Sequence, residues 1–185
     1  LLRWNHPIHG RISPASFIQL AEETSIICPI GEWVLRTVCR HASGWRAAGL
    51  PPVRIAVNVS PQQIQRPNFS DQFLGLLEAH QMDPTLICIE ITEGTIMKDV
   101  ENTIPRLGKL RDQGVEIALD DFGTGYSSLS YLNKLPIHTL KVDQSFIRDM
   151  PHNVAHLSIV SAIVTIASVA MPTRSAPRST MRNPS

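Results

Sequence analysis

Apolar positions along this chain follow two rhythms, one helical and one alternating, and the switches between them predict the elements. Behind Ser13-Pro14, a hydroxyl cap followed by a proline suited to the first helical position, Phe17, Leu20 and Ala21 recur at helical spacing and predict a helix to about Ile27. A second helix is expected from about Ile30, carrying Trp33, Val34, Val38 and Trp45, until Gly49 and Pro51-Pro52 break it. Residues 54–59 read as a short strand, and Ser60-Pro61 then caps a third helical region that includes Phe73, Leu74, Leu76 and Leu77. Further on, 86–92 is expected as a strand, 99–113 as a helix closed by Gly114, 115–120 as a strand, 127–133 as a short helix and 137–143 as a strand. The apolar stretch 157–170 is shorter than the ~20 residues of a membrane span. Ser158, Ser161, Thr165 and Ser168 punctuate it, so it reads as a buried packing helix.

Strands alternating with helices require a parallel sheet with crossover connections, hence an α/β architecture. Because strand side chains alternate faces, parity tests which residues can meet. Ile87, Ile89 and Ile91 share one face and Cys88, Glu90 and Thr92 the other; Val115, Ile117 and Leu119 likewise oppose Glu116, Ala118 and Asp120. Ile55, Val57 and Val59 oppose Ala56 and Asn58, and Leu140 and Val142 oppose Lys141 and Asp143. Each strand thus has an aliphatic face and a second face ending in Asn58, Glu90, Asp120 or Lys141. Asn58, Glu90 and Asp120 recur at about the 30-residue length of a strand-helix-strand unit, which places them at one level on successive strands. That level is the carboxyl end, where α/β sites are built. Asp121 breaks the parity, so its joining the site requires the strand to have ended by then.

Adjacent carboxylates at a strand end repel each other unless a cation neutralises them, so Asp120-Asp121 before the hinge Gly123-x-Gly125 points to divalent-metal chemistry. Taken one at a time, these residues have plainer readings: the Asp pair as a solvated turn, Asn58 as a strand-end turn residue, Lys141 as a snorkelling lysine and Glu93 as a helix-start carboxylate. A formal charge of +1 offers no field for nucleic acid, which is excluded as a partner. Cys28, Cys39 and Cys88 are odd in number and set in apolar stretches, as expected for reduced thiols in a cytoplasmic compartment. The chain opens on Leu1-Leu2-Arg3-Trp4 without an apolar leader segment, and its seven histidines form no HxH or HExxH pattern, so they are read as surface or loop residues.

With these residues assembled, the sequence resembles the EAL-type cyclic-di-GMP phosphodiesterase domain. The matching passages are Leu2-Arg3-Trp4-Asn5-His6-Pro7, Ile12-Ser13-Pro14 with Phe17-Ile18, Ala21-Glu22, Asn58-Val59-Ser60, Glu90-Ile91-Thr92-Glu93, the stretch 120–129, and Leu140-Lys141-Val142-Asp143 with Phe146. The resemblance implies a parallel β/α barrel of the TIM type, incomplete here, with a partial domain over 1–168 and a non-family tail over 169–185; residues 171–185 hold three prolines, three arginines and no large aliphatic residue and are expected to be disordered. It implies hydrolysis of the cyclic dinucleotide to linear pGpG with two Mg²⁺ or Mn²⁺ ions. By the same resemblance Asn58, Glu90, Asp120 and Asp121 are metal ligands, Lys141 and Asp121 serve catalysis, Arg3 and Asp143 bind substrate, and Glu93 anchors the loop 123–128. The partners it implies are cyclic di-GMP, a second copy in a homodimer, and sensory or diguanylate-cyclase-type domains in a longer parent, which can be membrane-attached.

The sequence departs from the family pattern at both ends. It begins at what corresponds to the leucine of Glu-Ala-Leu, and after Ala167, where the family reads Ala-Glu-Gly-Val-Glu, it reads Met171-Pro172-Thr173-Arg174-Ser175. Fewer carboxylate donors weaken a metal site, so little or no hydrolysis is expected of this polypeptide. A degenerate module binding cyclic di-GMP or a protein, and a non-functional remnant, remain the competing readings.

Overall fold

The computed structural model describes residues 2–123, 132, 134–143 and 145. Apart from Leu132, the helices expected over 127–133 and 157–170, the tail over 169–185 and Phe146 lie outside the described residues.

The chain opens with an antiparallel hairpin, β1 (Trp4–His6) and β2 (Gly10–Ile12), joined by the polar turn around Pro7. His6 Nδ1 accepts hydrogen bonds from the Ile8 and His9 backbone N–H groups at 3.1 and 3.2 Å, and Gly10 takes the left-handed conformation that closes the turn. Helix α1 (Pro14–Glu23) starts where Ser13-Pro14 places it and ends before Ile27. Ser25, at φ 59, reverses the chain, and α2 (Ile27–Ala47) begins three residues earlier than expected. Pro29 is tolerated there because the first turn of a helix has no internal use for its N–H.

Four parallel strands follow, β3 (Ile55–Asn58), β4 (Ile87–Thr92), β5 (Glu116–Phe122) and β6 (Thr139–Val142), in spatial order β3-β4-β5-β6. The third helical region is two helices, α3 (Pro61–Ile64) and α4 (Phe69–Ala79), because Pro67 interrupts the run. A short helix, α5 (Glu93–Met97), unforeseen in the sequence, leaves β4 directly and precedes α6 (Val100–Asp112), which ends at Gly114 with φ 94.

The aliphatic faces expected from parity are buried on β4 and β5, while on β6 Leu140, Lys141 and Val142 are all half-buried. Ile87, Ile89, Ile91, Ile117 and Leu119 are at most 1% exposed and pack with Phe73, Leu77, Leu107 and Leu110 of α4 and α6. Each such aliphatic burial contributes roughly 1.5–3 kcal/mol, so this outer face holds the sheet against its helices. Polar bonds tie the layer together: Ser70 Oγ donates to the Arg106 carbonyl at 2.9 Å, and Arg106 Nη1 to the Ile64 carbonyl at 3.2 Å. All three cysteines are free, and among the described residues no helix is long and apolar enough to cross a membrane.

Candidate functional site

The opposite face of the sheet carries the polar residues, and its register sets their spacing. Asn58 pairs with Glu90, so these two are level; Glu90 then pairs with Ala118, and Asp120 with Thr92. Asp120 therefore stands one pleat farther along than the common level the sequence suggested. Equal intervals in sequence do not give equal heights, because barrel strands are staggered by their shear.

Lys141 joins the levels. Its ammonium donates to Glu90 Oε1 and lies 3.6 Å from Asp120 Oδ2, reaching over β5 to do so. The reach passes Ala118, which pairs with Glu90 on one side and Thr139 on the other and is 1% exposed; a larger side chain would fill that space. The bond to Glu90 is the main reason the Lys141 pKa is raised, with the charges of Glu90 and Asp120 adding to it against the cost of burial. Glu90 is the most enclosed member, at 13% side-chain exposure against 30% for Asp120.

Asp121 enters through a β-bulge, not through the end of the strand. Leu119 pairs with Leu140 and Phe122 with Val142, so β5 has one residue more than β6 in this interval. Asp121 has φ 54, a left-handed conformation that Asp tolerates better than most residues, and its N–H donates to Asp120 Oδ1 at 3.1 Å. The bulge resets the alternation, returning Phe122 to the apolar core while both carboxylates stay at the rim. Burial, and then the charges of Asp120 and Asp143, push the Asp121 carboxyl above its ordinary range, with Lys141 pulling the other way.

Glu93 lies beneath this rim, 4% exposed, with Oε2 accepting the Gly123 N–H at 3.3 Å. Its Oε1 is buried without a partner among the described residues, and the remainder of the loop 123–128 lies outside them. Asp143 Oδ1 accepts the Ser145 N–H at 2.8 Å, and the Asp143 N–H reaches the Phe122 carbonyl at 3.4 Å. Arg3 is exposed and donates to the Leu2 carbonyl at 2.9 Å; no contact among the described residues joins it to the carboxylates. Asn58 is exposed on β3, which has no strand on its other side among the described residues.

An amide oxygen and three carboxylates are hard donors, and two adjacent acids offset here by one ammonium suit a cation such as Mg²⁺ or Mn²⁺. Among the described residues no three His, Cys, Asp or Glu side chains are already close enough to hold a metal ion, and Lys141 sits between Glu90 and Asp120.

Two features went unread in the sequence. Ser60 and Gln63 form a full capping box, whose Ser-x-x-Gln signature was present. His138, read as a loop histidine, accepts the Ile117 N–H at Nδ1 (3.1 Å) while its own N–H meets the Ile117 carbonyl at 2.8 Å, so it continues the ladder between β5 and β6.

The sequence model of the EAL domain matches residues 1–172. The bifunctional diguanylate cyclase/cyclic di-GMP phosphodiesterase MucR of Pseudomonas aeruginosa is 44% identical over 166 residues, which is 90% of this chain and 24% of that protein. The cyclic di-GMP phosphodiesterase NbdA of the same organism is 41% identical over 167 residues, 90% of this chain and 21% of that protein. The chain thus spans about a quarter of the length of the curated relatives it matches. The solved P. aeruginosa MucR phosphodiesterase in complex with cyclic di-GMP superposes with a TM-score of 0.85 at 43% identity, covering 92% of this chain and 69% of that one. EAL domains are α/β folds of the TIM-barrel type, and EAL phosphodiesterases are in general metal-dependent. By sequence and by fold alike, this chain belongs to the EAL domain family.

Proposed function

We propose that this chain is part of a cyclic-di-GMP phosphodiesterase that adds water across one phosphodiester to give linear pGpG, with a two-metal site at the β3–β6 rim. The observation that carries the reading is the Lys141 ammonium held between Glu90 and Asp120, beside the bulge that adds Asp121. Asn58, Glu90, Asp120 and Asp121 would hold Mg²⁺ or Mn²⁺. When bound, such cations acidify a water and offset phosphate charge.

The chain's own residues supply the rest. Lys141, fixed at its head by two carboxylates, presents fixed positive charge where the phosphorane becomes more negative and can orient the attacking water. Asp121, whose carboxyl is pushed above its ordinary range by burial and by the charges of Asp120 and Asp143, is the second catalytic group. Arg3 is suited to a substrate phosphate and Asp143, an acceptor, to the N–H edge of guanine. Glu93 holds the start of the loop at Gly123. A reducing, cytoplasmic setting is proposed from the three cysteines, odd in number and set in apolar stretches. Homodimerisation, and attachment to sensory or diguanylate-cyclase-type domains, are proposed from the family resemblance.

The test is Mg²⁺- or Mn²⁺-dependent conversion of cyclic di-GMP to pGpG. Whatever turnover the chain shows is expected to be lost in Asp120→Asn, which removes a proposed cation ligand. Robust turnover that survives Asp120→Asn contradicts the assignment. A second reading, binding without chemistry, is favoured by the absence of a preassembled carboxylate trio among the described residues. Calorimetric titration with cyclic di-GMP that shows binding without any turnover would select it.

A further inference from the structure

Gly31, on the first turns of α2, faces the Gln63 side chain. A Cβ built at this position would lie 1.9 Å from Gln63 Nε2 and 2.6 Å from Gln63 Cδ, so no larger residue fits while the Gln63 side chain keeps its place. Gly31 has an ordinary helical backbone, and a glycine inside a helix costs about 1 kcal/mol relative to alanine. The space it leaves is the compensation.

What occupies that space is the cap of α3. Gln63 Oε1 accepts the Ser60 N–H at 3.0 Å, and Ser60 Oγ accepts the Gln63 N–H at 3.3 Å. Ser60 is two residues beyond Asn58, and the residue between them, Val59, is 5% exposed and donates its N–H to the Glu90 carbonyl at 2.9 Å. The backbone leaving Asn58 is thus held on one side by β4 and on the other by the Gln63 carboxamide, which sits where it does because residue 31 has no side chain. Asn58 is at the open edge of β3, with no strand on its other side among the described residues to fix it.

We propose that Gly31 is a positioning residue for Asn58, acting through Gln63 and the Ser60 N–H. The inference deepens the reading of Asn58 as a cation ligand and rests on it, but the turn itself can be observed without metal. A methyl group at 31 expels the carboxamide, frees the Ser60 N–H and loosens the rim at Asn58.

The test uses the full 185-residue chain and its Gly31→Ala, Gln63→Ala, Gln63→Glu and Gly31→Ala/Gln63→Ala variants, with Asn58→Ala as control. Amide hydrogen exchange at Val59 and Ser60 is followed in metal-free protein, and Mn²⁺ alone is titrated into each variant. Exchange at Ser60 is expected to quicken about tenfold in Gly31→Ala and Gln63→Ala, and Mn²⁺ affinity to fall about tenfold, as for a residue orienting a ligand. Gln63→Glu, which keeps the acceptor, should retain both properties. The double variant should match Gln63→Ala alone, since both changes remove the same bond. Unchanged Ser60 exchange in Gly31→Ala, or additive effects in the double variant, overturns the proposal; so does a lowered Tm with exchange at Ser60 rising no more than elsewhere. If exchange responds as expected while Asn58→Ala binds Mn²⁺ like the parent, the positioning stands and the ligand role of Asn58 fails.

Discussion

The outer face of the sheet and its carboxyl-end rim are made from the same strands under opposite rules. On the outer face Ile87, Ile89, Ile91, Ile117 and Leu119 alternate without interruption and are at most 1% exposed. At the rim the alternation breaks at a bulge, one residue adopts a positive φ, and like charges sit side by side. The outer face gains free energy from regularity, whereas the rim spends some of it to bring Glu90, Asp120, Asp121 and Lys141 together. A fold can carry such a site because the two faces are separable, so that damage to one need not appear in the other.

Substitutions on each face test that separation. The largest effect is expected from Ile89→Ala on the fully buried face, a loss of about 2–5 kcal/mol in urea denaturation. Ala118→Leu probes the boundary: it should cost about 1–3 kcal/mol by overpacking. It should also block the path of Lys141 to Glu90, seen as loss of the raised Lys141 pKa by NMR titration.

Lys141→Met is expected to change stability by on the order of 1 kcal/mol or less, because the pair is partly exposed. It should leave Mn²⁺ binding intact or tighter, since Glu90 and Asp120 are freed, while removing whatever turnover the chain shows. A Lys141→Met protein that binds Mn²⁺ more weakly would contradict the view that the ammonium occupies cation space.

The smallest effect concerns Asp121. A carboxyl whose pKa is higher folded than unfolded stabilises fully below the unfolded pKa, and that contribution is lost as pH rises through the folded one. Metal-free Asp121→Asn should therefore be slightly more stable than the parent at neutral pH, by less than about 1 kcal/mol for so exposed a group, and the difference should vanish in acid. A difference that grows as pH falls would refute the assigned sign.

These effects track what could be read from the sequence. The outer face was legible because its burial is two-sided in sequence: each aliphatic residue is flanked by a residue of the other parity. The rim was legible in its membership and less so in its geometry. Asp121 was marked by its broken parity, but the cause lies in the next residue: Phe122 is three positions from Leu119, not two, and both are buried on one face, which only a bulge allows. The offset of Asp120 from Glu90 is set by strand stagger, a property of the pairing register that no interval along the chain encodes. The hairpin β1–β2 has strands of three residues, too short for a period, and α5 is hidden because a five-residue helix has no repeat of its own.

The central claim is that the rim gathers a divalent cation on Asn58, Glu90, Asp120 and Asp121. Anomalous diffraction from crystals grown with Mn²⁺ tests it most directly. The account predicts manganese peaks within about 2.5 Å of oxygens from these four side chains, with Lys141 displaced from between Glu90 and Asp120. Manganese bound elsewhere, with the Lys141 bridge intact, would contradict it.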